Sequence, residues 1–339
     1  MKILVIYPGA NWSPYDVAVG YEAALRALGH EVVTFDYHTQ YRFYKQYLAW
    51  LCETQGMTFT RDAALLLASE RVAIACMDQN PDVILNVMGV ALHRRAFIHT
   101  HLLGIPMALI LTESPYMDRF QAEIVNRGFV RLVFTNDKVS VDPLHEATGV
   151  PVVYLPHSYD PARHYPHEVG EEAETDVFFY GTLWPERKTL LDAVDWTRYH
   201  AYVGGTTFDR KDENPPVIQN EYMALWYSGT KIALNQHRTV EYDGGTVEDA
   251  YSLGPRAFEI AGCGAFQLCD DARPELYEIF GDSVATYHDA ADLQAKIEYY
   301  LAHDREREDM AEEAHRRVAP CSFLHRAQEI LMPAIDELL

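Results

Sequence analysis

SLGPRAFEIAGCGAF, residues 252–266, is the most informative stretch of this chain. Pro255 suits the first position of a helix, because the N–H group that proline lacks would have no intrahelical partner there. The free amides and the dipole of such a helix start favour an anion, and the guanidinium of Arg256 suits phosphate oxygens. Glu259, one turn later, can accept hydrogen bonds from hydroxyl groups such as those of a ribose. The stretch therefore predicts a helix, a Gly-rich turn and a buried strand, with a site for a diphosphate and a diol at the helix start.

Short apolar runs alternate with amphipathic stretches on both sides of this motif, which predicts an α/β fold with parallel sheets flanked by helices. Further helix starts are expected at Pro185 and Pro274, and one helix is expected to span residues 293–318. The stretch from residue 38 to residue 77 predicts two helices separated near Gly56. The expected strands lie at residues 2–7, 31–37, 82–87, 107–111, 132–135 and 152–155, and in the second half at residues 177–180, 200–203, 231–234, 265–268 and 284–287.

The length of 339 residues suits two domains, each with its own core. Residues 157–175 combine prolines, a glycine and several glutamates, which is typical of an interdomain linker. We therefore expect an N-terminal domain at residues 1–156, this linker, a C-terminal domain at residues 176–320 and a final helix at residues 321–339. Open α/β sheets bind ligands at the carboxyl ends of their strands, so the functional residues are expected there.

The composition disfavours several classes of protein. The formal charge is −22. Residues 1–150 carry 12 basic and 15 acidic residues, and residues 151–339 carry 16 basic and 35 acidic residues. This acidity argues against a general nucleic-acid binder. No apolar run approaches the roughly 20 residues that a membrane span needs, and the first residues predict a strand rather than a signal peptide. We therefore expect a cytoplasmic protein. The five cysteines include no CxxC pair and the 15 histidines no HExxH pattern, so we expect reduced thiols and no structural metal site.

A second motif, FFYGTLWPERK, occupies residues 178–188. A buried strand is expected to end at Gly181, and a helix opens at Pro185 with Arg187 and Lys188 in its first turns. Cations usually avoid the N-terminus of a helix because of its dipole, so two of them there indicate a bound anion. The alternative is ordinary surface charge.

A third motif, KIALNQHR, occupies residues 231–238. Its strand delivers four polar side chains to the carboxyl end of the sheet: Asn235, Gln236, His237 and Arg238. A single histidine would most often be structural. Four polar groups after one strand end favour a binding site as much as a structural role.

The loop after the first strand, PGANWSPYD at residues 8–16, is a candidate acceptor site. A Gly-bearing loop before a helix can bind a phosphate or line an acceptor pocket, although this one matches neither GxGxxG nor a P-loop. The alternative is a plain turn capped by Ser13 or Asp16. The candidate acceptor contacts are Asn11, Trp12 and Tyr15. Three residues near predicted strand ends are candidates for catalysis, with capping or structural roles as the alternative: Asp16, Glu113 and His157.

The motif set resembles the CgeB-like, spore-maturation type of glycosyltransferases, which are relatives of glycosyltransferase group 1 with the GT-B fold. The resemblance lies in LPHSYDP at residues 155–161, DVFFYGTLWPERKTLL at 176–191, YSGTKIALNQHR at 227–238 and SLGPRAFEIAGCGAFQL at 252–268. It implies two Rossmann-like domains that face each other across a cleft, with the last helix crossing back to the first domain. The nucleotide-diphosphate sugar would bind to the C-terminal domain and the acceptor to the N-terminal domain.

The resemblance also implies roles for individual residues. Arg187 and Lys188 would hold the diphosphate together with Arg256 and the amides near Gly254, and Glu259 would bind the ribose hydroxyls. Cations and helix ends can neutralise the leaving diphosphate, so neither a metal nor another cofactor is expected. A UDP-sugar is the first choice of donor. The candidate donor-binding residues are Gly181, Arg187, Lys188, Asn235, His237, Gly254, Pro255, Arg256 and Glu259. Retaining relatives often carry Glu-x7-Glu, and here Tyr251 takes the place of the first glutamate. The sugar contact must therefore differ, and the identity of the sugar and the stereochemical course stay open.

The expected function is the transfer of a sugar from a nucleotide-diphosphate sugar to an acceptor hydroxyl. If the anomeric centre inverts, a base such as Asp16 or Glu113 must take the acceptor proton. The alternatives are a nucleotide-sugar epimerase of the same architecture and a non-catalytic module that binds a nucleotide-sugar or a glycan. The acceptor can be a glycan, a protein, a small molecule or a hydroxymethylated viral DNA base, in which case the protein would act in the host cytoplasm. Only the near-neutral first half could contact DNA, through Arg42, Lys45, Arg94, Arg95 and Arg131.

Overall fold

The computed structural model describes residues 1–8, 14–60, 62–89, 92–206, 218–240, 245, 247 and 249–339. The chain forms two compact units, each with its own parallel sheet. The first unit comprises Met1–Pro156 and Phe323–Leu339, and the second comprises His157–Ser322. The expected linker, residues 157–175, is thus part of the second unit, and all but the first two residues of the expected final helix are part of the first.

The first unit contains a six-stranded sheet in the order β2-β1-β3-β4-β5-β6. Its central strands are continuous apolar runs because helices cover both faces, whereas the edge strand β2 alternates between buried and exposed residues. Sequence patterns located all six strands to within two residues at each end. The strands are β1 Lys2–Tyr7, β2 Glu31–Asp36, β3 Val83–Val87, β4 Met107–Ile110, β5 Val130–Thr135 and β6 Val152–Tyr154.

Helices connect these strands and cover the sheet. The two helices expected between residues 38 and 77 are confirmed, because Gly56 adopts the left-handed conformation that ends the first of them. Asp36 caps the start of that helix through the amide of Thr39. The helices are α1 Pro14–Ala27, α2 Tyr37–Gln55, α3 Ala63–Gln79, α4 Arg94–Leu102, α5 Asp118–Val125 and α6 Val141–Thr148.

The C-terminal segment from Phe323 packs against α1 within the first unit. Its helical turns run through Phe323–Arg326, a π-helical turn at Ala327–Leu331, and Met332–Leu338. The ring of Phe323 meets Tyr21 edge to face at 5.1 Å and lies where a side chain on Gly20 would be. The absence of a side chain at Gly20 is therefore what permits this close contact.

The second unit contains a five-stranded sheet in the order β11-β10-β9-β7-β8. Its strands are β7 Thr175–Tyr180, β8 Ala201–Gly204, β9 Thr230–Asn235, β10 Gln267–Asp270 and β11 Ala285–Tyr287. Its helices are α7 Pro185–Asp192, α8 Met223–Gly229, α9 Pro255–Gly262, α10 Pro274–Phe280, α11 Ala290–Ala302 and α12 Asp304–Val318. The three predicted proline-led helices begin at the predicted residues, each with proline in the first turn.

The expectation of a single helix over residues 293–318 is wrong, because α11 and α12 are separated at His303. His303 leaves the helical conformation, and Asp304 and Glu306 then form an acidic first turn that suits the dipole of a new helix. The buried guanidinium of Arg307 donates to the carbonyl of Tyr300 at 2.6 Å, which satisfies an acceptor at the end of α11. Across the residues that the structure describes, no helix is both long enough and apolar enough to cross a membrane.

Candidate functional site

Three neighbouring strand ends of the second unit bring the sequence motifs together. Strands β10, β9 and β7 are adjacent and parallel, so their carboxyl ends lie at one edge of the sheet. Gly181 follows β7, residues 235–238 end or follow β9, and Asp270 ends β10. Helices α7 and α9 begin in the connections that leave these strands.

Two guanidinium groups, those of Arg187 and Arg256, converge at the end of β7. They lie 5.5 and 5.3 Å from the ring centroid of Phe179. Arg187 donates to the carbonyls of Thr182 and Gln236, and Arg256 donates to that of Tyr180 at 2.9 Å. These contacts with backbone oxygens hold both cations in place without neutralising them.

The glycine at position 181 allows this convergence. A methyl group there would lie 2.5 Å from Nη2 of Arg256 and 3.5 Å from Nη1 of Arg187. Such a short carbon–nitrogen distance is well below van der Waals contact, so any side chain would displace a guanidinium. The close approach of backbone to charge is therefore built into the sequence at Gly181.

The electrostatics of this pair favour an anion. Burial and, to a smaller extent, the neighbouring charge of Arg256 lower the pKa of Arg187 to about 9, although Glu186 and Asp270 act in the opposite direction. Arg187 is only 5% exposed, and neither arginine forms an ion pair with a carboxylate in the described part of the chain. Two close cations without an acidic partner are stabilised by a bound anion, and planar guanidinium groups suit phosphate oxygens.

A buried histidine–aspartate pair adjoins the arginines. Nδ1 of His237 lies 3.0 Å from Oδ2 of Asp270, which also accepts a hydrogen bond from the backbone N–H of His237. Burial raises the pKa of Asp270, but His237 and Arg273 outweigh this effect and lower it to about 2. Asp270 is therefore ionised at neutral pH and holds Nδ1, which leaves Nε2 as the atom that can contact a ligand.

The free side of His237 faces the start of α9. Its Cδ2 atom lies 4.0 Å from the position that a methyl group on Gly254 would take. Gly254 precedes Pro255 in extended conformation, and no side chain among the described residues caps this helix start. The first-turn amides of α9 and Nε2 of His237 thus occupy the same neighbourhood.

Several polar atoms at these strand ends are buried without a hydrogen-bond partner in the described residues. They are Nε of Arg187, Oε1 of Gln236, Nε2 of His237 and Oε2 of Glu186. Buried polar groups almost always have partners, because an unpaired one costs free energy. Their concentration here indicates a binding site for a polar ligand.

Glu259 lies on α9, half-buried, and its carboxylate has no hydrogen bond or ion pair within the described ranges. It neighbours the buried hydroxyl of Tyr227, which also lies near Arg256. Burial raises the pKa of Tyr227, so this phenol stays neutral and can orient Arg256. The carboxylate of Glu259 remains able to accept hydrogen bonds from ligand hydroxyls.

Asn235 and Lys188 differ from the other predicted donor-binding residues in what their side chains contact. Asn235 is buried, its Nδ2 donates to Gln267 at 3.0 Å and its Oδ1 accepts from Arg256, so it positions the arginine. Lys188 is exposed and pairs with Asp192 one turn later on α7, away from Arg187. The structure brings together Gly181, Arg187, Asn235, His237, Gly254, Pro255, Arg256 and Glu259, and leaves Lys188 apart.

The predicted catalytic residues are divided between the units. Asp16 lies in the first turn of α1 and Glu113 follows β4, both in the first unit. His157 opens the second unit, and burial lowers its pKa to about 4, so its imidazole is neutral at physiological pH. Tyr15 is exposed and meets Tyr7 edge to face at 5.4 Å. The predicted acceptor contacts Asn11 and Trp12 lie outside the described residues.

Sequence reasoning missed two partly buried carboxylates, of which one, Asp270, ends a strand. Asp270 could have been found, because it directly follows the apolar residues of a predicted strand. Asp118 in the first unit follows β4 at a greater distance and gave no such signal. Burial raises the pKa of Asp118, although hydrogen bonds from Ser114 at 2.6 Å and Gln121 at 3.0 Å act against that rise.

The described residues contain one group with the composition of a metal site, formed by His237, Cys269 and Asp270, whose ligand atoms lie within 4.8 Å of one another. Burial and Asp270 raise the pKa of the Cys269 thiol well above its usual value, whereas a metal ligand must be a thiolate. The guanidinium of Arg273 also lies close enough to Asp270 to lower its pKa. The group therefore fits a hydrogen-bonded histidine–aspartate pair better than a metal centre.

Comparisons with known proteins agree with the motifs. Residues 186–332 match the family model described as "Glycosyl transferase-like". Spore protein CgeB of Bacillus subtilis (strain 168) is 29% identical over 107 residues, which cover 30% of this chain and 32% of CgeB. The match thus spans about a third of that relative's length.

Two solved structures resemble the whole chain. Sucrose-phosphate synthase of Thermosynechococcus elongatus matches with a TM-score of 0.63 and 12% identity, covering 99% of this chain and 100% of that one. HepE of Anabaena, in complex with UDP and glucose, matches with a TM-score of 0.64 and 13% identity over the same shares. These structural matches confirm the GT-B fold.

Proposed function

We propose that this chain, which has the GT-B fold and a glycosyl transferase-like domain at residues 186–332, transfers a sugar from a nucleotide-diphosphate sugar to an acceptor hydroxyl. The observation that carries the proposal is the convergence of Arg187 and Arg256 at the end of β7. Two fixed guanidinium groups beside an uncapped helix start form a preorganised site for a diphosphate.

The same geometry supplies what the reaction needs. When the glycosidic bond breaks, negative charge develops on the leaving diphosphate, and groups that stabilise this charge lower the barrier. Arg187 and Arg256 neutralise that charge without having to reorganise, because backbone carbonyls already hold them. His237 adds a contact through Nε2, which Asp270 directs toward the start of α9. Because these groups supply the positive charge, we propose a reaction that does not require a metal ion.

Glu259 is the proposed contact for the ribose. It lies on α9 beyond the diphosphate-binding end, and its carboxylate is not engaged by other described side chains. A carboxylate accepts two hydroxyl donors at once, which suits a vicinal diol. A UDP-sugar is the first donor to test, since HepE, a structural neighbour, has been solved with UDP and glucose.

A thermal-shift screen with UDP-, GDP-, ADP- and TDP-sugars tests the donor site. A ligand that binds only the folded state raises the melting temperature by mass action. Arg256→Ala and Glu259→Ala should abolish the shift, and Asp16→Asn should leave it intact. Arg305→Ala, which removes an arginine that is 94% exposed on α12, is the matched control. If Arg256→Ala and Glu259→Ala bind the donor as well as the wild type does, the site is wrongly placed.

The acceptor proton has two candidate bases, Asp16 and Glu113, if the reaction inverts the anomeric centre. A retaining reaction needs no base at that place, and Tyr251 stands where many retaining enzymes carry a glutamate. NMR analysis of the anomeric configuration in the product distinguishes the two courses. Inversion predicts that one of Asp16→Asn and Glu113→Gln abolishes turnover while donor binding persists.

Two further measurements separate transfer from the alternatives. A nucleotide-sugar epimerase would interconvert sugar isomers when incubated with donor alone, whereas a transferase releases the nucleoside diphosphate in proportion to acceptor. A binding module would show the thermal shift but no turnover with any acceptor. The acceptor panel should include glycans, proteins, small molecules and duplex DNA with a hydroxymethylated base, followed by mass spectrometry of the products.

A further inference from the structure

Glu186 is a second half-buried carboxylate near the arginine pair, besides Glu259. It lies in the first turn of α7, directly before Arg187 in the chain. Its Oε1 atom accepts a hydrogen bond from the backbone N–H of Thr239 at 3.4 Å, and its Oε2 atom is buried without a partner in the described part of the chain. A carboxylate offers about four acceptor sites, so this single long contact leaves most of them unused.

The helices that carry the two carboxylates lie on opposite faces of the sheet. Successive side chains of a strand point to opposite faces. Leu191 of α7 shares a core cluster with Phe179 of β7, whereas Ile260 of α9 shares another with Phe178 of the same strand. The carboxylates on α7 and α9 therefore approach the strand ends from different sides.

The arginine pair joins these two helices. Arg187 comes from α7 and Arg256 from α9, and their guanidinium groups lie 5.5 and 5.3 Å from the ring centroid of Phe179. Glu186 is close enough to Arg187 to offset part of the decrease in pKa that burial causes. Glu259 lies one turn after Arg256 on α9. The two cations thus have one carboxylate on the side of α7 and the other on the side of α9.

This order of charges matches the chemistry of the proposed donor. A nucleotide-diphosphate sugar carries hydroxyl groups on both sides of its diphosphate, those of the ribose on one side and those of the transferred sugar on the other. A carboxylate repels phosphate and suits hydroxyl donors. With the diphosphate on the arginine pair and the ribose on Glu259, Glu186 lies on the side where the transferred sugar is attached.

We propose that Glu186 accepts hydrogen bonds from hydroxyl groups of the transferred sugar. The inference rests on the proposed function, because it requires the diphosphate at Arg187 and Arg256. Hydrogen bonds to an ionised acceptor are stronger than neutral ones, and a bound hydroxyl gives the buried Oε2 atom the partner that it lacks. Glu186 therefore contributes to the affinity for the sugar ester and not to the affinity for the nucleoside diphosphate.

Isothermal titration with nucleoside diphosphates and their sugar esters tests the proposal. The probes are UDP with UDP-glucose, GDP with GDP-mannose, ADP with ADP-glucose and TDP with TDP-glucose, and the variants are measured with the pair that the wild type binds most tightly. Glu186→Ala should weaken binding of the sugar ester about tenfold, as expected when a charge-assisted hydrogen bond is lost. Its affinity for the diphosphate alone should stay within about twofold or rise, because a repelling charge is removed.

A second variant covers the case in which Glu186→Ala impairs folding. Glu186→Gln keeps the shape of the side chain and one oxygen acceptor but loses the charge. It should weaken binding of the sugar ester about threefold and leave the diphosphate unaffected, because charge-assisted hydrogen bonds are roughly twice as strong as neutral ones. The matched control is Glu278→Ala, which removes an exposed glutamate from α10 of the same unit and should change neither affinity.

Two results would overturn the inference while the proposed function stands. Equal losses for the diphosphate and its sugar ester in the Glu186 variants would show that Glu186 acts only through Arg187 or the backbone at Thr239. Unchanged affinity for both would show that it does not contact the donor. A wild type that binds none of the probes, or an Arg256→Ala variant that binds them as tightly as the wild type, would instead overturn the donor site, and this inference with it.

Discussion

The carboxyl strand ends of the two units carry different charged groups, and those of the second unit bring two arginines together beside Asp270. In the second unit these ends hold the guanidinium groups of Arg187 and Arg256. In the first unit they hold carboxylates, with Glu113 and Asp118 after β4 and Asp137 after β5. One architecture thus provides a site for an anion in one unit and disfavours a diphosphate in the other.

The polar groups at these two places also differ in how they are satisfied. In the first unit the amide of Ser114 donates to Asn136 at 2.9 Å, and Asn136 donates back to the carbonyl of Ser114 at 2.9 Å. In the second unit Nε of Arg187 and Nε2 of His237 are buried without partners in the described part of the chain. The unpartnered nitrogens in the second unit favour a charged ligand, whereas Ser114 and Asn136 in the first unit satisfy each other.

The largest effect is expected from Arg256→Ala. The substitution removes a charge-assisted contact with the diphosphate, and such hydrogen bonds contribute roughly 1.5–3 kcal/mol each. Donor affinity should fall about a hundredfold, since about 1.4 kcal/mol corresponds to a factor of ten. Isothermal titration with the donor identified by the screen measures this. A loss below about threefold would contradict the assignment of the anion site to this unit.

Asp270→Asn is the next largest. The variant keeps an oxygen acceptor for His237 but loses the negative charge that holds Nδ1, so kcat/KM should fall about tenfold. Asp271→Asn, which removes an adjacent exposed carboxylate, is the control. Steady-state kinetics on both variants decide whether His237 needs this ion pair.

The same variant should change the acid stability of the protein. The pKa of Asp270 falls from 3.8 to about 2 on folding, so its carboxylate stabilises the fold above pH 4 and this contribution is lost as the pH falls toward 2. The shift corresponds to about 2 kcal/mol. Urea unfolding at pH 7, 4 and 2.5 should show a flatter dependence on pH for Asp270→Asn than for wild type, and equal slopes would contradict the ion pair.

Local sequence patterns predicted most of the secondary structure of both units, because strands, proline-led helices and the helix end at Gly56 depend on residues that are neighbours in sequence. Arg187 and Lys188 show where such patterns fail. Adjacent helical residues point in directions about 100° apart, so one side chain reaches the site and the other pairs with Asp192 in solvent, and only the packing of α7 decides which.

Contacts between residues that are far apart in the chain could not be predicted from the sequence either. His237 and Asp270 are 33 positions apart and meet because β9 and β10 are neighbours in the sheet. The break at His303 contains neither proline nor glycine, and a buried contact of Arg307 stabilises it. Strand order and side-chain packing, rather than local propensity, determine both features.

Gly181→Ala should have a smaller effect and a more specific one. The methyl group would displace Nη2 of Arg256, which is the far end of a long side chain and not backbone, so the fold should tolerate it. Donor affinity should fall about fivefold to tenfold while the melting temperature changes little, as expected when a charge-assisted contact is lengthened. Gly204→Ala at the neighbouring strand end meets its nearest atom at 3.7 Å and is the control. Unchanged donor binding in Gly181→Ala would show that the close approach has no role.

The smallest effect on the donor is expected from Asp118→Asn, which probes the first unit. Burial raises the pKa of Asp118, so this carboxyl is costlier to ionise in the folded chain than in the unfolded one. The stability that this carboxyl contributes to the fold therefore falls as the pH rises above 3.8, the pKa of Asp118 in the unfolded chain.

The asparagine of the variant still accepts hydrogen bonds from Ser114 and Gln121 but carries no charge. The variant should melt higher than the wild type at pH 7 and not at pH 3, and its donor affinity should stay within about twofold, as for distant sites that act independently. Asp142→Asn, an exposed aspartate on α6, should show neither change. A large loss of donor affinity in Asp118→Asn would mean that the two sets of strand ends do not act separately, because a substitution in the first unit would then weaken the anion site of the second.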